Sequence, residues 1–225
     1  VNYFSHARRF LDDPFFVAAV SVPDWMGVIN RRAKAPTKLA VPFAHDQDQR
    51  VASIARGIIQ HHHDDKWFHQ CPAFVELQLS FTARLQTFVS QDRSLRPRFF
   101  GHVLIEVLLD DILISENPAQ LDRYYEVAAE YDAAFISQTV NRMLTRRTGM
   151  LAFFIPLFVK ERFLYDYSDD AKLLYRMNRV MKRLRLDPMP TEVATFFPEA
   201  RALVRSRKSQ LLVGENPQLA YENPL

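Results

Sequence analysis

Residues 51–69 read VASIARGIIQHHHDDKWFH, an apolar stretch that runs straight into three histidines and two aspartates. Imidazole nitrogens and carboxylate oxygens at mixed spacings suit Mn2+, Fe2+, Zn2+ or Mg2+. Such an ion can acidify a bound water and polarise a phosphoryl oxygen. At about 100° per residue, Val51, Ile54, Ala55 and Ile58 share one helical face. His61, His62, Asp65 and His69 continue that face, whereas His63 and Asp64 point the other way. The wheel therefore predicts His61 and Asp65 inside, and His63 and Asp64 in solvent. The competing reading ends the helix near Gln60 and leaves HHHDD as a solvated surface tail.

A second polar stripe lies in residues 98–114, RFFGHVLIEVLLDDILI. His102, Glu106 and Asp110 stand at i, i+4 and i+8, one above another on an otherwise apolar helix. Such a stripe faces either a strip of solvent or an internal polar site. His6, at the edge of a Tyr3–Ala7–Phe10 face, reads as a hydrogen-bonded core histidine or as a ligand. Asp24, after Pro23, reads as a cap or as a ligand. Residues 176–185, RMNRVMKRLR, form a basic stretch, either a solvated face or a dock for an acidic protein or a phosphate. No serine or cysteine nucleophile motif, phosphate-binding glycine loop or dinucleotide fingerprint is visible.

The elements that must position these groups are helical. Apolar residues recur at helical spacing almost throughout. Glycine is scarce, with 5 in 225 residues, which argues against a chain of tight hairpins, while 18 phenylalanines suit a large core. Expected helices cover residues 3–11, 14–20, 46–69, 72–89, 94–115, 121–144 with one break, 149–165, 168–186 and 191–207, the last kinked at Pro198. Residues 22–25 read as a turn and residues 30–43, with Pro36 and Pro42, as a loop. The apolar run 150–159 is too short to span a bilayer and reads as a buried helix. The expectation is an all-α, single-domain bundle over residues 1–210, with a mobile tail at 211–225.

The formal charge of +3 is too mild to indicate nucleic acid. The first residues show no signal-peptide pattern, and the lone Cys71 precludes an internal disulfide. A cytoplasmic protein with neither membrane nor nucleic-acid partners is expected.

On these residues the chain resembles the acyl carrier protein phosphodiesterase family, divergent relatives of the HD-domain metal-dependent phosphohydrolases, from its first residue to about Val204. VNYFSHARRF is similar to the family's opening segment, with His6 in the histidine position. VPDW places Asp24 on the early aspartate. GIIQHHHDDKW places His61 and Asp65 on the next element, and RFFGHVLIEVLLDDIL puts Glu106 and Asp110 on the acidic positions of an Asp-x-x-x-Asp-His helix. RFLYDYSDDAKLLYRMNRVMKRLRL and TFFP match late Tyr, Arg and Phe-Phe-Pro landmarks.

The resemblance implies an HD-like helical fold, a divalent metal, namely Mn2+, and hydrolysis of a phosphodiester such as the phosphopantetheine–serine linkage. The leading reading takes His6, Asp24, His61, Asp65 and Asp110 as metal ligands, with Asp65 and His102 as catalytic groups; Asp24, His61, Asp65 and Asp110 are expected to converge on one point, because buried carboxylates need a common counter-charge. Arg179 and Arg183 would receive an anionic substrate or acidic carrier protein. Two departures stand out. Asp111 replaces the family's histidine after Asp110, and Phe68 and His69 replace the usual threonine and aspartate. A non-catalytic relative that binds a partner protein is the alternative.

Overall fold

Proline and aspartate set where the first helices begin. The structure, a computed structural model, describes residues 1–89 and 96–215. After a short helix α1 (Tyr3–Ala7), the Asp13 carboxylate accepts hydrogen bonds from the backbone N–H groups of Phe15 and Phe16 and so caps α2 (Pro14–Val20). Such a cap contributes about 1 kcal/mol. Helix α3 (Val22–Ile29) follows almost at once. Residues 22–25, expected as a turn, are its first turn. Pro23 sits where no intrahelical N–H is needed, and Trp25 and Met26 bury themselves in the core. The loop expected at 30–43 likewise contains α4 (Thr37–Ala40) and a 3-10 turn at Val41–Phe43.

The long helices fall close to their expected places: α5 (Gln49–Gln70), α6 (Pro72–Gln86) and α7 (Arg96–Glu116). The expected segment 121–144 is two helices, α8 (Pro118–Ala129) and α9 (Ala133–Val140), the second restarted by an Asp132 cap. Helix α10 (Leu151–Glu161) accommodates Pro156, α11 (Asp170–Arg183) is capped by Asp169, and α12 (Phe197–Leu211) closes the order. Residues 191–196 form a 3-10 turn, and Pro198 opens α12 instead of kinking a longer helix. Every regular element among the described residues is helical, so the fold is all-α. None of these helices is long and apolar enough to cross a membrane. Of the segment expected as a mobile tail, Leu211 is buried at the end of α12 and residues 216–225 lie outside the described residues, as does the expected helix start at Ser94.

The chain divides into two compact units. One comprises, among the described residues, 1–2, 67–89, 96–116 and 163–214. In it α6, α7 and α12 pack together, with Phe81 against Phe196 and Phe100 stacked on Phe197. The other comprises, among the described residues, 3–66, 117–162 and 215. Its core gathers Phe4 against Tyr124, and Trp25 against Phe154 and Phe158. Only one face of α10 belongs to that core. Leu151, Ile155 and Phe158 are buried, but Phe153 is 72% exposed, so 150–159 is not the fully buried helix its composition suggests.

Candidate metal centre

Three side chains of the second unit converge on one small space. His6 comes from α1, and His61 and Asp65 come from α5, one helical turn apart. One ligand atom from each lies within 4.8 Å of the other two. The His6 and His61 rings stack at 4.4 Å between centroids. Both are buried, at 1% and 3% exposure.

Each imidazole is oriented by a partner on its other nitrogen. His61 Nδ1 lies 2.8 Å from the Val20 carbonyl oxygen. A carbonyl can only accept, so Nδ1 donates and Nε2 is left facing Asp65 Oδ2 at 3.3 Å. His6 Nδ1 donates to Asp64 Oδ2 at 2.9 Å, and Asp64 Oδ1 accepts from Gln60 Nε2 at 2.7 Å. His6 Nε2 is buried without a hydrogen bond, with Asp65 Oδ1 at 3.6 Å. This pattern, an outer acceptor fixing the tautomer and an inner nitrogen left to coordinate, is that of metal-ligating histidines.

The electrostatics follow from the same contacts. Burial alone would favour the neutral His6 ring, but Asp64 and Asp65 outweigh it and push its pKa up to about 9. Burial would raise Asp64 too. Its bonds with His6, His63 and Gln60 instead hold it well below the usual carboxylate range. Asp65 is held low, against its own burial, by His6 and His61.

Asp64 corrects the wheel reading. It is 2% exposed, whereas the Asp65 side chain is 31% exposed. Gly57, Gln60, His61, Asp64 and Phe68 make a second buried face of α5, so this helix is enclosed on more than the Val51–Ile58 side. The literal His63-Asp64 pair lies outside this group of ligand atoms, with His63 Nδ1 3.8 Å from Asp64 Oδ1. His63 is half-buried, and Asp64 serves His6 from behind. His62 turns elsewhere, with Nε2 donating to the Ala35 carbonyl at 2.7 Å.

Asp24 is half-buried on α3, and it supplies no ligand atom to this group. Asp110 belongs to the other unit, where it is fully buried and accepts from Asn2 Nδ2 at 2.9 Å. Its neighbour Asp111 is ion-paired with Arg201 at 2.5 Å, and Arg201 also reaches Asp170 at 2.9 Å. Arg179 and Arg183 are exposed on α11, with the Arg179 guanidinium 5.8 Å from the Tyr175 ring centre.

His102 stands in a second group, in the first unit. His69 Nε2 lies 2.7 Å from Glu106 Oε1, and His102 Nε2 lies 3.2 Å from the same oxygen. Three participants escaped the sequence reading, namely Gln60, the Val20 carbonyl and Arg9, whose Nη2 is 4.0 Å from Asp64, and a fourth, Asp64, was placed in solvent. Only Gln60 and Asp64 left a signal, as an i, i+4 polar pair on an apolar helix. Nothing in sequence marks a backbone carbonyl 41 positions away. No family model matches the chain, and no curated protein or solved structure matches it either.

Proposed function

We propose that this chain is a metal-dependent phosphodiester hydrolase of the kind its sequence resembles, with His6, His61 and Asp65 holding a divalent ion. The convergence of two imidazole nitrogens and one carboxylate within 4.8 Å carries the reading. The donor set fits the group: a mixed nitrogen and oxygen site suits Mn2+, Fe2+ or Zn2+, and the buried His6 Nε2 makes no hydrogen bond and faces Asp65 Oδ1 at 3.6 Å. A bound ion would supply a Lewis acid for a phosphoryl oxygen and acidify water beside it.

The chain's own residues do the rest. Asp64 and the Val20 carbonyl hold the two rings in register. Asp65, with its side chain 31% exposed, keeps the group within reach of solvent and of a substrate phosphoryl oxygen. Mn2+ and the phosphopantetheine–serine linkage of an acidic carrier protein come from the resemblance; Arg179 and Arg183, exposed on the basic helix α11, are its docking cations.

The test is hydrolysis of bis(p-nitrophenyl) phosphate, and of a phosphopantetheinylated carrier protein, by EDTA-stripped protein with and without Mn2+. Wild type should turn over only with metal, and His61→Ala and Asp65→Ala should lose at least about 100-fold. Metal binding without hydrolysis of either substrate would overturn the hydrolase and favour a non-catalytic relative. One observation leans that way: the family's histidine position holds Asp111, and its carboxylate is committed to Arg201.

A further inference from the structure

We infer that His69, His102 and Glu106 form a second divalent-cation site, selective for a borderline-soft ion of the Zn2+ class and open to an external ligand. The inference does not rest on the reading of His6, His61 and Asp65.

The ligand atoms come from two helices. His102 and Glu106 are one turn apart on α7, and His69 comes from the last turn of α5. Both Nε2 atoms point at Glu106 Oε1, and the two rings lie 4.7 Å apart with a 37° tilt. The rings are held by packing as well as by that oxygen. Phe74 meets both edge-on, 5.1 Å from His69 and 5.0 Å from His102, and Phe68 meets His69 at 5.5 Å. An aromatic wall thus fixes the imidazoles before any ion arrives, which reduces the ordering cost of binding.

Two imidazoles to one carboxylate select against Mg2+ and Ca2+, which take oxygen ligands, and in favour of Zn2+ and its neighbours. Three protein ligands leave a tetrahedral ion one position short. The side chains are 30%, 37% and 14% exposed, so that position is reachable by water or by an anionic oxygen.

Equilibrium dialysis of the EDTA-stripped full chain against Zn2+, with metal content by mass spectrometry, tests this. The inference expects an ion bound in wild type that is lost in His102→Ala and in the independent variant His69→Gln but kept in Asp65→Ala. Co2+ substitution should give visible absorption bands in Asp65→Ala that His102→Ala removes from this site. If the proposed hydrolase site also binds Zn2+, wild type holds two ions and the double variant His102→Ala/Asp65→Ala holds none. One ion in wild type, lost in His102→Ala and kept in Asp65→Ala, upholds this site and sinks the other. One ion kept in His102→Ala and in His69→Gln, or no ion in wild type, overturns the inference and leaves two imidazoles hydrogen-bonded to a glutamate.

Discussion

The two histidine–carboxylate groups use the same residue types in opposite ways. In His6–His61–Asp65 each ring spends its Nδ1 on an outside acceptor, Asp64 or the Val20 carbonyl, and so presents Nε2 inward. In His69–His102–Glu106 both Nε2 atoms are spent on the carboxylate itself. The first pair of rings is buried, and the second is about one-third exposed. Buried ligands need a supporting shell, because an unsatisfied polar atom there costs 1–3 kcal/mol on the order of magnitude, whereas water can satisfy the exposed pair. Loss of a supporting group should therefore cost far more in the first cluster than in the second.

The largest expected effect comes from Asp64→Ala. It strips the acceptor from buried His6 Nδ1 and from Gln60 Nε2 together. Removing one partner of a buried pair costs about 3 kcal/mol or more. Urea denaturation of the metal-free protein should show that loss, and Mn2+ binding should weaken although Asp64 touches no ion. His102→Ala, at the exposed cluster, should cost no more than about 1 kcal/mol. Equal costs would erase the distinction.

The same contrast predicts a pH dependence for the metal-free chain. His6 in the folded state has its pKa raised from 6.5 to about 9. Between these values the folded state holds a proton that the unfolded state has released. The stabilisation is thus complete below pH 6.5 and is lost as pH rises through about 9. Stability curves at pH 6.5, 8 and 9.5 should fall in wild type and flatten in Asp64→Asn. A wild-type curve that rises over this range would refute the pairing. Metal should bind more tightly at the upper end, because it must displace that proton.

How much of this was legible beforehand differs by level. The helical periods gave the all-α class and the course of α5, α6 and α7, because long amphipathic runs leave little choice. Residues 22–25 failed for a local reason: Pro23 reads equally as a turn residue and as the first position of a helix, and only the burial of Trp25 and Met26 decides. At the candidate site, spacing on α5 put His61 and Asp65 on one face, and His6 stood out at the edge of the Tyr3–Ala7–Phe10 face; that the three side chains meet is visible only in the fold. Asp64 was misplaced because one apolar stripe was taken to mean one buried face. The Gly57–His61–Asp64–Phe68 side carries too few aliphatic residues to register as a stripe. The division of the polar residues between two clusters was not legible, since His102, Glu106 and Asp110 share one helix face and spacing cannot say which neighbour each one meets.

The smallest effect belongs to a glycine in the scaffold of the second cluster, set against a glycine beneath the first. Gly57 on α5 packs against Phe16, Ala19 and Val20 of α2, the helix whose Val20 carbonyl orients His61. A Cβ there would stand 2.7 Å from Ala19 Cβ, 2.8 Å from the Phe16 carbonyl oxygen and 3.1 Å from Val20 N. Two of these atoms are α2 backbone and cannot swing aside, so Gly57→Ala should cost about 2 kcal/mol by overpacking. It should also push Val20 away from His61 and lower Mn2+ affinity. Gly101, next to His102 on α7, is the counterpart. Its added Cβ would meet Leu85 Cδ1 and Phe81 Cβ, each at 3.3 Å. The first is the end of a flexible side chain, and a shift of a few tenths of an ångström relieves both. Against that small crowding stands the gain from replacing glycine by alanine within a helix, about 1 kcal/mol. The two nearly cancel, so Gly101→Ala should stay within about 1 kcal/mol of wild type and leave Zn2+ binding at His69, His102 and Glu106 in place. If Gly101→Ala instead unfolds the chain as readily as Gly57→Ala, the second cluster rests on a scaffold as tight as the first, and the contrast between a rigid and an adaptable site fails at its foundation.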